Sequence, residues 1–282
     1  MVECRDVFQN SQRYNYLQSQ YVLKTEAKPL LTSTYIHIPH IGRTIEHRIW
    51  SCGARTWSEF AEHQDEIPIS AAKKTTILAG IDESTQHLIA HDAEFFAKSL
   101  PKSEHWRAYR DFKDKIAFVD IETTGLSQHY SHMTVVGIYD GKKAKAYVRG
   151  IDLDDIVCEF AKYDFLVTYN GARFDLPFIK HEYPEIEFNQ LHTDLMYPLR
   201  RIGYMGGLKV IEQALGITRS KDTTGITGFD AARLWHEYEH GSDDALSLLL
   251  RYNQEDIVNL ETIIELVHPT FVEDAFSVAR KV

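Results

Sequence analysis

The chain has 282 residues, with 31 Lys and Arg against 41 Asp and Glu, and so a formal charge of −10. Its 44% hydrophobic content supports a sizeable core, and 26% charged residues exclude a disordered chain. The net charge on its own argues against a nucleic-acid binder, whose footprint is usually basic.

No stretch reaches the roughly 18–20 apolar residues of a membrane span. The opening residues are charged and polar, unlike a secretory leader. Cys4, Cys52 and Cys158 share no zinc or redox spacing, so a cytoplasmic protein with reduced thiols is expected. The charge is unevenly spread. Residues 1–113 carry 14 basic and 14 acidic side chains, whereas residues 114–282 carry 17 and 27. That shift predicts two units, a helical N-terminal region over 1–113 and a second domain over 114–282.

In chain order, the first ~30 residues read as a poorly anchored arm. Apolar spacing predicts helices around Ile45–Trp50 and Trp57–Ala61, and further helices around Ile77–Ile81 and His87–Phe96. Lys115–Glu122 reads as a buried strand. Thr134–Tyr139 and Lys145–Arg149 flank Asp140-Gly141, a hairpin signal. Asp152–Lys162 reads as a helix, Phe165–Tyr169 as a strand, and Phe174–His181 as a helix with Pro177 in its first turn. Leu208–Leu215 is a helix ended by Gly216. The last helix, Ser242–Leu266, opens with Ser242 as N-cap and Asp243 and Asp244 in its first turn. A hairpin followed by a βαβ crossover makes an α/β fold, a mixed sheet flanked by helices.

The chemistry is carried by acids. Asp120 and Glu122 are two apart on an apolar strand, so they share a face. Side by side they repel each other and pay desolvation, which a hard divalent cation relieves. The alternative is a solvated strand end. Asp175 follows the strand FLVTY and the turn Asn170-Gly171, at a strand's C-terminal end, where open α/β sheets place ligands. Asn170 either holds that turn or meets a sugar hydroxyl. Tyr252 and Asp256 are i, i+4 on the last helix and share a face.

Together these pieces resemble the DEDD superfamily of 3′–5′ exonucleases, in its tyrosine-containing (DEDDy) branch. The matching stretches are Phe118-Val119-Asp120-Ile121-Glu122-Thr123-Thr124-Gly125-Leu126, Asn170-Gly171-Ala172-Arg173-Phe174-Asp175 and Tyr252-Asn253-Gln254-Glu255-Asp256. More narrowly the chain looks like the RNase-H-like exonuclease family of the YprB type, whose regions also cover Thr193-Asp194-Leu195, Gly207-Leu208-Lys209 and Asn259-Leu260-Glu261. Tyr252 stands where many of those proteins have a histidine.

The resemblance implies two Mg²⁺ or Mn²⁺ ions held by Asp120, Glu122, Asp175 and Asp256, with Tyr252 orienting the attacking water. It implies single-stranded DNA or RNA 3′ ends as substrate. Thr123 and Leu126 correspond to positions that cradle and wedge the terminal nucleotide; Leu126 reads equally as a plain buried leucine. Arg173, Arg200, Arg201 and Lys209 are candidate phosphate contacts or solvated helix faces. Ile38-Pro39-His40-Ile41-Gly42 faintly resembles a helix-hairpin-helix turn, with His40 in the place of a glycine. The rivals are a structure-specific endonuclease on the same scaffold and a non-catalytic nucleic-acid-binding adaptor.

Overall fold

The computed structural model describes residues 30–279; the expected arm and Cys4 lie outside the described residues. Five strands form one mixed sheet in the order β3-β2-β1-β4-β5. They are β1 Ile116–Thr123, β2 Met133–Tyr139, β3 Ala144–Val148, β4 Phe165–Thr168 and β5 Leu191–Asp194. The helices are α1 Arg43–Ser51, α2 Trp57–His63, α3 Ala71–Ile89, α4 Ala93–Ser99, α5 Tyr109–Phe112 and α6 Ile156–Phe160, followed by α7 Asp175–Glu182, α8 Met196–Arg201, α9 Leu208–Ala214, α10 Gly228–Glu239 and α11 Asp243–Ala279.

β1 pairs antiparallel with β2 and parallel with β4, and β5 extends the parallel side. The β2–β3 hairpin turns at Asp140-Gly141, where Asp140 Oδ1 accepts the N–H groups of Lys142 and Lys143 and Gly141 has φ 82°. The mixed sheet is therefore as expected, with β5 added. Its four residues, LHTD, are too short and polar to show a pattern and are recruited by pairing with β4.

Strand alternation sorts β1 into two faces. Ala117, Val119 and Ile121 pack with Phe160, Phe178 and Ile179. Ile116 and Phe118 pack on the opposite face with Ile257 and Leu260 of α11. Asp120 and Glu122 continue that second face and so meet the helix that covers it.

α11 begins as expected, with Ser242 Oγ accepting the Ala245 N–H at 3.3 Å. It does not end at Leu266 but runs on through Pro269. Phe271 and Ala275 are buried against the N-terminal helices, and that burial offsets the hydrogen bond the proline removes. Trp50 packs on Phe276 with ring centroids 4.6 Å apart, and Trp106 on Phe271 at 5.5 Å.

Other boundaries also moved. The helix expected over His87–Phe96 is broken: the chain turns at His91 (φ 51°) and Asp92 caps α4 by accepting the Phe95 N–H at 3.1 Å. The segment 152–162 opens as a 3₁₀ turn, Leu153–Asp155, before α6. α8 and α10 lay outside the expected elements. His40 adopts φ 65°, a conformation that glycine takes more readily, ahead of Gly42 at the N-cap of α1. Arg201 is exposed at the end of α8, as a solvated face would be, and it also reaches Glu104 at 3.0 Å and Asp274 at 3.3 Å. Glu104 also pairs with buried Arg107 at 2.6 Å, which pairs with Glu46 at 2.9 Å. Among the described residues no helix is long and apolar enough to cross a membrane.

Candidate metal centre

Three carboxylates converge where β1 meets α11. Ligand oxygens of Asp120, Glu122 and Asp256 all lie within 4.8 Å of one another. Asn253 is fully buried one turn before Asp256 and donates through Nδ2 to the Asp120 carbonyl (3.3 Å) and to Asp120 Oδ2 (3.1 Å). Room for that side chain comes from Gly137, opposite Asp120 on β2. A Cβ there would sit 2.0 Å from Asn253 Oδ1.

Asp175 enters from the start of α7. It stands outside the group of three, with Oδ1 accepting the Ile121 N–H at 3.2 Å. The loop before it is fastened by Asp194 at the end of β5. Asp194 accepts the N–H groups of Asn170 (2.7 Å), Ala172 (3.1 Å) and Met196 (3.1 Å). Asn170 has φ 65°, so its visible part here is a backbone one, making a turn that Asn tolerates. Sequence reading placed Asp194 within a motif stretch but gave it no task.

Burial dominates the electrostatics. It pushes Asp120 well above the usual carboxylate range, helped by Asp256, Glu122 and Asp175 and opposed by Arg219. Glu122 is raised in the same way, by burial and then by Asp256. Asp175 is lifted to about 7 by burial, against the bonds it accepts from backbone. Asp256 is lifted to about 6, with Arg219 pulling the other way. Glu122 Oε1 is buried without a hydrogen-bond partner. Mutually repelling buried carboxylates with too few donors are matched by a hard divalent cation, which prefers oxygen ligands.

A cationic flank closes the other side. Arg219, which sequence reading missed, donates through Nε to Glu212 Oε2 (2.6 Å) and through Nη2 to Glu212 Oε1 (2.7 Å) and to Asp256 Oδ1. Its guanidinium lies 5.5 Å from the Tyr252 ring centroid, and Lys209 Nζ lies 4.5 Å from the same centroid. Tyr252 is 6% exposed, and burial, then Asp256, raises its phenol well above the usual value. Burial lowers Lys209.

On the open side Leu126 is 82% exposed, which removes the reading of a plain buried leucine. With Arg173, Phe174 and Pro177 it lines a cavity of about 290 Å³. Thr123 Oγ1 donates to the Gly125 carbonyl at 2.7 Å and shapes the turn leading to Leu126.

Residues 117–268 match the family RNase_H_2, described as RNase_H superfamily. Among solved structures, the chain is similar to the family B DNA polymerase of Pyrobaculum calidifontis. The identity is 14% and the TM-score 0.46, over 55% of this chain and 24% of that one. It therefore spans about a quarter of the polymerase's length. It is also similar to Brucella melitensis NrnC bound to pGG, at 17% identity and TM-score 0.38, over 61% of this chain and 83% of that one. NrnC with bound Mg²⁺ gives 16% identity and the same TM-score and coverage. No curated protein sequence matches. The family match runs from β1 into α11 over more than half of the chain, and the protein belongs to the RNase_H superfamily.

Proposed function

We propose that the protein is a metal-dependent 3′–5′ exonuclease of the tyrosine-containing DEDD branch, YprB type, hydrolysing phosphodiester bonds from the 3′ end of single-stranded DNA or RNA. The observation that carries this reading is the convergence of Asp120, Glu122 and Asp256 oxygens within 4.8 Å, with Glu122 Oε1 lacking any partner.

Asp120, Glu122, Asp175 and Asp256 would hold two divalent ions, Mg²⁺ or Mn²⁺. Bound there, such ions supply Lewis acidity at the phosphate and a water acidic enough to attack near neutral pH. The protein's own groups do the rest. Tyr252 keeps its proton, because its pKa is raised, so it orients water by hydrogen bond and is no base. Asn253 fixes the Asp120 carboxylate. Leu126 stands exposed to meet the terminal nucleotide, and Arg173, Asn170, Thr123 and Lys209 surround the strand end. Residues 114–282 carry the chemistry, and the preceding helices brace the end of α11.

Asp120→Ala or Asp256→Ala is expected to abolish degradation of a 3′-labelled oligonucleotide while leaving circular dichroism unchanged. Full activity in either variant would falsify the site. A blocked 3′ end should protect the substrate, and digestion of a covalently closed circle would instead mark an endonuclease. Absence of any Mn²⁺-dependent rise in melting temperature would favour a non-catalytic adaptor.

A further inference from the structure

We propose that Arg219 is a resident counter-cation of the acidic centre, holding one oxygen of Asp256 against an incoming divalent ion and so setting how tightly the site takes metal. This rests on the metal-centre reading above and adds a regulator to it.

The Arg219 side chain is 7% exposed and sits between two carboxylates with different duties. Glu212, 1% exposed on α9, takes two of its donors and also accepts Asn259 Nδ2 at 2.9 Å. The Glu212–Asn259 bond alone ties α9 to α11. Yet Nη2 reaches past Glu212 to Asp256 Oδ1, on a carboxylate of the three-acid group. The remaining donor, Nη1, is buried without an acceptor. The guanidinium is thus over-supplied with donors, and an Asp256 oxygen committed to it is withheld from a metal. Its fixed positive charge also opposes a dication in a medium that screens poorly.

The arrangement makes opposite predictions for the two partners. Arg219→Met frees the Asp256 oxygen and removes the repelling charge, so metal affinity should rise. Glu212→Gln removes one of the two acceptors and the charge that hold the guanidinium, so Arg219 leans more on Asp256 and metal affinity should fall. A purely structural tie would loosen the site in both variants, and so move both affinities downward.

The experiment is calorimetric titration of the full chain with MnCl₂, with no substrate present. Arg219→Met is expected to bind Mn²⁺ about tenfold tighter than the wild type and Glu212→Gln about tenfold weaker, within the usual range of coupling between neighbouring sites. Arg219→Met could strand buried Glu212 and fail to fold. The double variant R219M/E212Q strands neither charge, and it too should bind tighter than wild type. If the double variant binds no tighter than wild type, the proposal is overturned while the metal centre stands. If the wild type binds no Mn²⁺ at all, the metal-centre reading falls and takes the proposal with it.

Discussion

Gly137 and Asn253 meet at the tightest point of the centre. Any side chain at 137 must displace Asn253, whose amide holds Asp120. Gly137→Ala is therefore expected to cost about 1–3 kcal/mol by overpacking and to weaken Mn²⁺ binding. Urea unfolding and metal titration of the variant check this; wild-type values for both would show that the gap does not hold Asn253. At this scale legibility depended on locality. Asp120 and Glu122 could be paired on paper because two residues along a strand return to the same face. Arg219 lies outside any helix or strand and meets Asp256 across 37 positions of chain, so no periodicity announces it. Leu126 was ambiguous because a leucine reads as buried until its turn is seen.

The helices show the same division. α9 and the start of α11 carry their own signals, a closing glycine and a capping serine. The short β5 and the last turns of α11 are decided by partners elsewhere, as most helix stability is, whereas the break between α3 and α4 is local, made by the turn at His91 and the Asp92 cap. Asp111 on α5 is a test of such an element in its docked place. Its Oδ2 is buried without a partner, and burial lifts its carboxyl to about 7, against a bond from the Leu31 backbone. A pKa raised on folding gives stability that is fully present below the unfolded value near 4 and is lost as pH rises through about 7. Asp111→Asn keeps the acceptor for Leu31 and cannot ionise. It should gain on the order of 2 kcal/mol over wild type at pH 8 and nothing at pH 4, as urea titrations at the two pH values would show. Equal effects at both would mean that the carboxyl is not held neutral in the fold.

Across the whole molecule, the charge of −10 lies within residues 114–282, which include the four proposed metal ligands. Two divalent ions would cancel part of it and leave the unit acidic. Of the four basic residues considered for phosphate contact, Arg201 pairs with Glu104 and Asp274, Arg200 is exposed on α8, Lys209 lies over Tyr252 and Arg173 lines the cavity beside Leu126. Under the proposed function, with Lys209 and Arg173 as its two phosphate contacts, so acidic a chain should grip a strand end locally rather than along its length. Each contacted phosphate on a single strand contributes a slope of about −0.7 in log affinity against log salt. For kcat/KM on a single-stranded oligonucleotide between 50 and 200 mM KCl, at fixed Mg²⁺, the slope is then expected near −1.4, or about −0.7 for each of the two cations. Lys209→Ala and Arg173→Ala should each flatten it by about 0.7. A slope beyond about −4 that neither variant changes would require an extended basic track elsewhere, and would move substrate recognition away from the metal centre.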